Sequence, residues 1–479
     1  MNNTYIRNNV SKKAILNFLK KEKDLYNTEI HAFSVIHHGE LLCRIAVPPY
    51  SINDNKQLFS LSKSFCSTAV GFAVDEGLFK VSDRIVDIFP DKCPSNISEK
   101  LSKMTVHNVL TMSTGHKSCV MSLMKDSTDP VSEFLKAELT YFPGEKFVYN
   151  TGATYLLSII VQKYTGKTVY EYLYDKYFSF LDHIPEKWDM TCAGYCEGGC
   201  GLYAEIQDIE NLGKLYLGKG VLNGRRFLSE EWVNSASTKQ IDNSGNGTED
   251  WSSGYGYQFW MNSRDGFRGD GACGQLCFVM PKKDMIICVQ CECKQDMQLE
   301  VNGVYELAEQ IYNTDDTSID IQSELDIMYE TKICQISDFI GFNKCFKLKS
   351  NPNNISFIDF KKIDNSIVIN IVCSGNSYKI SANPEEYTLN SIYLKSFKPT
   401  LYGLIPARLE ECRFSCRLIE CSESKLEILL RYRNAPQTEH IVFEIIDDEI
   451  TIQHICRTAD VIPEAKIIKG TKMQIINKK

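Results

Sequence analysis

The chain has 479 residues, of which 43% are hydrophobic and 24% charged, with a formal net charge of −8. This balance matches soluble globular proteins and excludes a disordered or fibrous chain. The negative sign argues against a nucleic-acid partner, because phosphate-backbone binders gather Lys and Arg, and at roughly 100 to 200 residues per domain the length predicts two to four units.

The opening Met-Asn-Asn-Thr-Tyr-Ile-Arg lacks the basic and then apolar pattern of an export signal, and no run of about 18 apolar residues follows. A cytoplasmic protein with no membrane partner is expected. Residues 11–25 read as an amphipathic helix with Ser11 as cap, and apolar runs at 30–36 and 41–47 flank His37-His38-Gly39-Glu40 as a hairpin. From Leu58 to Gly77 the apolar residues recur at helical spacing, and helical patterns dominate to about residue 190. Strands are expected near 254–260, 275–280 and 285–293, then a helix at 298–313. This order predicts a sheet built from both ends of the first domain with a helical block between.

The acidic, polar stretch after Asn313 reads as a linker. The expected division is a first domain over 1–313, a linker over 314–330 and an accessory domain over 331–479. Short alternating segments in the last part, such as Ser366–Cys373 and Ile441–Ile446 turned by Asp447-Asp448 into Ile450–Ile452, predict an antiparallel β sandwich or barrel.

The nineteen cysteines are scattered and odd in number, and they read as reduced, buried small hydrophobes. Cys192-x3-Cys196-x3-Cys200 and Cys288-x2-Cys291-x-Cys293 lack the paired knuckles of a structural zinc site. No metal and no organic cofactor are expected. Gly269-Asp-Gly-Ala-Cys-Gly274 fits a dinucleotide fingerprint in spelling only, since a strand rather than a helix follows it. Neither G-x-S-x-G nor H-E-x-x-H occurs, and His37, His38, His107 and His116 read as structural or solvated.

Ser60-Leu-Ser-Lys63 opens an apolar helix and places a hydroxyl and an amine one turn apart on the same face, where the amine can act as the serine's base. Ser122-x-x-Lys125 and Ser422-x-x-Lys425 share the spacing, but neither stands at the mouth of a long apolar helix. Leu58-Phe-Ser-Leu-Ser-Lys-Ser-Phe65 resembles the nucleophile segment of the serine β-lactamase and penicillin-recognising hydrolase family, in its class C and esterase-like branch. Val109–Gly115, Phe142-Pro-Gly-Glu-Lys-Phe-Val-Tyr-Asn-Thr151, Gly198-Gly-Cys-Gly-Leu202 and Glu231-Trp-Val233 are similar to further family landmarks in the same order, over about residues 28–312.

The resemblance implies an α/β (α+β) fold: a β-lactamase-like three-layer sandwich with an antiparallel sheet and a helical insertion, followed here by an all-β domain similar to lipocalin-like attachments. It implies a serine hydrolase acting through an acyl-enzyme on Ser60, with Lys63 and Tyr149 moving protons and the backbone amides of Ser60 and Ala272 receiving the oxyanion. The second-motif Asn falls on Thr151, with Asn150 one place earlier, so these two are the candidate substrate contacts. The third-motif cation is replaced by Gly269-Asp270-Gly271, and Arg268 reads as a solvated neighbour. The expected substrate is a small molecule or short peptide with an ester or amide bond. The alternatives are a D,D-peptidase or β-lactamase proper, or a non-catalytic binding protein on the same fold. The sequence leaves homo-oligomerisation open.

Overall fold

The computed structural model describes residues 3–293, 297–312, 319–329, 333–336, 338–351, 354–393, 411–456 and 466–473. The chain packs as two compact units, one formed by Met1–Ala46 and Ser51–Ile319 and the other by Val47–Tyr50 and Asp320–Lys479. The acidic residues 314–318 lie outside the described residues. The expected linker is in part helical, since Ile321–Tyr329 forms a helix that buries Ile321, Leu325 and Tyr329 at a spacing of one turn.

In the first unit, α1 (Lys12–Asp24) begins where Ser11 Oγ accepts from the Ala14 amide at 3.1 Å, the capping chemistry its sequence announces. The hairpin of β2 (Glu29–His37) and β3 (Glu40–Ala46) turns through His38 and Gly39, both at positive φ. With β1 (Thr4–Ile6), β4 (Trp260–Met261), β5 (Phe267–Gly271), β6 (Gln275–Met280) and β7 (Met285–Glu292) they form one antiparallel sheet in the order β1-β3-β2-β7-β6-β5-β4. The central strands β2 and β7 come from opposite ends of the unit. Helices α2 (Ser62–Asp75), α3 (Thr151–Thr165) and α4 (Ile206–Leu217) lie between them in sequence, and α5 (Met297–Gln310) follows. The main core joins α2, α3 and α4 to the sheet through Phe65, Val70, Leu156, Leu212, Cys277 and Ile286. No helix among the described residues is long and apolar enough to cross a membrane.

The strand expected over 254–260 is confined to its end. Gly254 and Gln258 take φ of +122° and +65°, and Gln258 serves helices instead of a neighbouring strand. Its Nε2 donates to Leu110 O at 2.7 Å, and its Oε1 accepts from Thr154 Oγ1 at 2.6 Å. These side-chain bonds replace the ladder that an alternating pattern suggests.

Glu22 of α1 is fully buried against α5, with Oε1 2.0 Å from where a Cβ on Gly303 would stand. Burial, and then the negative charge of Glu300, push its carboxyl up to about 9. The folded pKa lies above the usual 4.5, so the contribution to stability is full below about pH 4.5 and is lost as pH rises towards 9, at no more than about 1.4 kcal/mol per pH unit. Thermal melts of Glu22→Gln are therefore expected to show a flatter decline in Tm over this window than wild type. Parallel curves would remove Glu22 as the cause.

The second unit is one ten-stranded antiparallel sheet running from Cys345–Leu348 to Lys466–Lys472, in which the first and last of these strands pair with each other. Its free edges, Asn376–Ala382 and Thr388–Tyr393, are stitched by Asn390, whose Oδ1 accepts from Ser381 N at 2.8 Å and whose Nδ2 donates to Ser381 O at 2.9 Å. The result is a near-barrel that leaves little open edge. The Asp447-Asp448 turn joins Thr438–Ile446 to Glu449–Cys456 with both residues at positive φ, the conformation of a two-residue hairpin turn.

Candidate functional site

Ser60 lies in a single 3-10 turn, Phe59–Leu61, that leads into α2. Phe59 has φ +47°, a strained choice for a bulky residue and one that the surrounding packing must hold. The side chain of Ser60 stays partly exposed while Phe59 and Leu61 are buried on either side. One turn on, Lys63 is 1% exposed, and its Nζ donates to Ser60 Oγ at 2.9 Å and to Gly199 O at 2.7 Å. Among the described residues no carboxylate forms an ion pair with it. The amine is thus held by one hydroxyl, one carbonyl and the ring of Tyr149, whose centroid is 4.9 Å away. The two other Ser-x-x-Lys matches are ordinary surface: Lys125 is exposed, and Lys425 pairs with Glu420 and Glu427.

Tyr149 immediately precedes the cap of α3. Its ring stacks on Trp260 at 5.4 Å and 26° and meets Tyr255 edge-on at 6.5 Å and 90°. These contacts fix the plane of the phenol beside Lys63. The amine meets the ring, and the Tyr149 hydroxyl makes no hydrogen bond to a described residue, which leaves it available to a substrate or water.

The edge of the sheet completes the cleft by close backbone approach. A Cβ on Gly271 would lie 2.2 Å from Leu58 O, and one on Gly269 would lie 2.3 Å from Leu61 Cδ1 and 2.9 Å from Ser64 Oγ. Only glycine fits at 271, where the obstacle is backbone, whereas a side chain at 269 would have to displace the ends of the Leu61 and Ser64 side chains. No cation stands at position 269, and the side-chain ends of Leu61 and Ser64 occupy the space beside it. The same approach brings partly exposed Ala272, the expected oxyanion donor, beside the Ser60 turn.

Arg268 departs from expectation. It is completely buried rather than solvated, because β5 turns positions 268 and 270 to the side opposite the two glycines. Its Nε donates to Asp270 Oδ2 at 3.1 Å and its Nη1 to Asp250 O at 3.0 Å and Asn262 Oδ1 at 3.3 Å, while the guanidinium lies 4.3 Å from the Trp251 ring. Burial pushes the Asp270 carboxyl above the usual carboxylate range, and Arg268 and then Lys63 pull the other way.

Asn150 is also placed differently. It is fully buried and caps α3, its Oδ1 accepting from Gly152 N at 3.0 Å and Val120 N at 3.1 Å. Its carboxamide oxygen is committed to backbone, so the structure brings Asn150 next to the site without presenting it there. Thr151 remains partly exposed, and its Cγ2 packs where a Gly199 Cβ would be, at 2.6 Å. Gly199 and Trp260 are site residues that the motifs did not assign. The glycine-rich 198–202 stretch signals a close approach without naming its partner, and nothing local marks Trp260. Among the described residues no His, Cys, Asp and Glu group could hold a metal ion, and no cysteine is in a disulfide.

Residues 31–309 match the family model described as Beta-lactamase. Over 292 residues the chain is 26% identical to the 6-aminohexanoate-dimer hydrolase of Paenarthrobacter ureafaciens, which covers 56% of this chain and 73% of that one. Among solved structures it is similar to a Bacillus anthracis protein assigned as a 6-aminohexanoate-dimer hydrolase, at 18% identity and TM-score 0.50 over 60% of this chain and 81% of the other. It is also similar to a class C β-lactamase from Rhodobacter sphaeroides, at 14% identity and TM-score 0.50 over 62% and 99%. These two structures speak for the fold, and the family match spans more than half of the 479 residues. The chain belongs to the beta-lactamase family.

Proposed function

We propose that this chain is a serine hydrolase that forms an acyl-enzyme on Ser60 and cleaves small esters or amides. The observation that carries the reading is the contact of 2.9 Å between Ser60 Oγ and Lys63 Nζ, with no carboxylate paired to the amine. In its uncharged form Lys63 accepts the Ser60 proton as Oγ attacks the carbonyl carbon. The negative oxygen that results is received by the amides of Ser60 and Ala272, and one such donor is worth about 3 to 4 kcal/mol. The proton passes from Lys63 to the leaving group as the carbon–heteroatom bond breaks, with Tyr149, whose ring lies against the amine, as the relay that the family resemblance implies. Water then attacks the ester on Ser60, giving its proton back through Tyr149 and Lys63 and releasing the acid.

The substrate class follows from charge. Position 269 is a glycine and carries no cation, and the buried Arg268 is paired through Nε with Asp270. A carboxylate next to the reacting carbonyl, as in β-lactams, meets no free positive group, so neutral acyl groups are preferred. The name of the Paenarthrobacter relative, 6-aminohexanoate-dimer hydrolase, supports an amide.

Labelling with a fluorophosphonate probe tests the nucleophile. Wild type is expected to carry the label on the Ser60 peptide and Ser60→Ala to carry none. Alongside, neutral p-nitrophenyl esters and amides are expected to exceed carboxylate-bearing analogues by about tenfold or more in kcat/KM, since a buried unpaired charge costs at least about 1.4 kcal/mol. A folded wild type that neither labels nor turns over a panel member would sink the reading.

A further inference from the structure

Gly271 to Gly274 form the turn that carries the Ala272 amide. Cys273 and Gly274 both take positive φ, +62° and +83°, and Gly274 N closes the turn on Gly271 O at 3.2 Å. A non-glycine residue in this region persists only where its surroundings over-determine it. The surroundings here lie behind the turn, away from Ser60. Cys293 N and Gln275 Nε2 donate to Cys273 O at 3.0 and 3.3 Å. Cys291 Sγ lies 3.3 Å from Cys273 O, from Gly274 O and from Glu300 Oε1. Glu300, on α5, is completely buried, and its Oε2 stands 2.4 Å from where a Cβ on Gly274 would be. Neither Glu300 nor Cys291 has a part in the proton transfers described above.

We propose that Glu300, with Cys291, is the positioning residue of the oxyanion turn: its carboxyl packs under Gly274 and keeps the Ala272 amide aimed at Ser60. The inference rests on the serine-hydrolase reading and names what shapes its transition-state contact.

The ionisable groups around Glu300 are Asp270 and Arg268 on β5, Cys291 on β7 with Cys293 just beyond its end, and Glu22 on α1. Arg268 is the one cation among them, and it is paired with Asp270. Burial first, and then the charge of Asp270, push the Glu300 carboxyl up to about 8, against the Cys291 thiol and Arg268. The proton is therefore held below about pH 8 and lost above it. The carboxylate left behind, without a counter-ion, must draw in water or move, and the glycine beside it moves too. A defect confined to the oxyanion contact lowers kcat and leaves KM nearly unchanged.

The test is the pH dependence of kcat and KM for a p-nitrophenyl ester in wild type, Glu300→Gln and Glu300→Leu, with thermal melts to establish folding. Wild-type kcat is expected to fall as pH rises through about 8. Glu300→Leu is expected to lose about tenfold or more in kcat at pH 7, a fraction of what deleting an oxyanion donor removes, with KM changed less than threefold. Glu300→Gln keeps the shape and cannot ionise, so it should recover most of that kcat and abolish the alkaline fall. An alkaline limb unchanged in Glu300→Gln would overturn the inference even if Glu300→Leu does not fold, as would a loss expressed in KM. Absence of Ser60 labelling and turnover in wild type is a different result, one that removes the hydrolase reading itself and the inference with it.

Discussion

Lys63→Met is expected to lower kcat/KM by about 10³-fold or more while leaving Tm equal to or above that of wild type. On the proposed mechanism the loss follows from removing the base for Ser60, since such bases contribute about 10² to 10⁴ and act as a unit with the nucleophile. The retained stability has a separate cause. Lys63 is 1% exposed and holds its amine against Ser60 Oγ, Gly199 O and the Tyr149 ring, with no carboxylate to compensate a charge. Burying such a group opposes folding, and a thioether of similar length fills the space without that penalty. Activity and stability should therefore move in opposite directions, the signature of a residue kept for chemistry. Steady-state kinetics and a thermal melt on one preparation decide it. Activity within tenfold of wild type would remove Lys63 from the mechanism, and a collapse in Tm would make it structural.

Arg268→Met is expected to destabilise the first unit by about 3 to 5 kcal/mol, a drop in Tm on the order of 10 °C, because one partner of a buried ion pair is left without the other. Arg268 is fully buried, and the Asp270 side chain is 8% exposed. The Arg268→Met, Asp270→Leu double variant should recover most of that stability, since removing both charges is often neutral. A coupling energy of at least about 1 kcal/mol in the double-mutant cycle is the expected result. Simple additivity of the two single variants would show that each charge is satisfied independently. Because Arg268 and Asp270 sit on the strand that delivers Ala272, the double variant also reports whether the pair is needed to shape the cleft: kcat near wild type confines its role to stability.

Much of the first unit was legible from local pattern. Ser11 at the mouth of an amphipathic run, the two alternating segments around His38-Gly39 and the apolar face ending at Gly77 are signals carried by neighbouring residues, and α1, the hairpin and α2 lie where those signals place them. The strands over 275–280 and 285–292 were equally clear. The 254–260 stretch misled because its aromatic alternation is that of a strand, while Gln258 bonds to helices far away in the chain. The helix Ile321–Tyr329 was hidden inside a polar stretch, where three apolar residues at one-turn spacing carry too little weight to be noticed.

The sequence by itself determined the chemistry on offer: a serine and a lysine one turn apart at the head of an apolar helix, a tyrosine before a helix cap, and glycines on a strand edge. Those facts depend on spacing along the chain, which covalent geometry and helical pitch translate directly into proximity. What only the tertiary structure decided is where each charge ends up. Arg268 reads as solvated and Asn150 as a substrate contact, and Glu300 carries no local mark at all. Their burial depends on which elements pack against them, on α3, α5 and the turn of Ser60, and contacts between residues so distant in sequence leave no periodicity to read. The close packing at Gly269 belongs to the same class, because a Cβ there would stand 2.3 Å from a leucine methyl more than two hundred residues earlier.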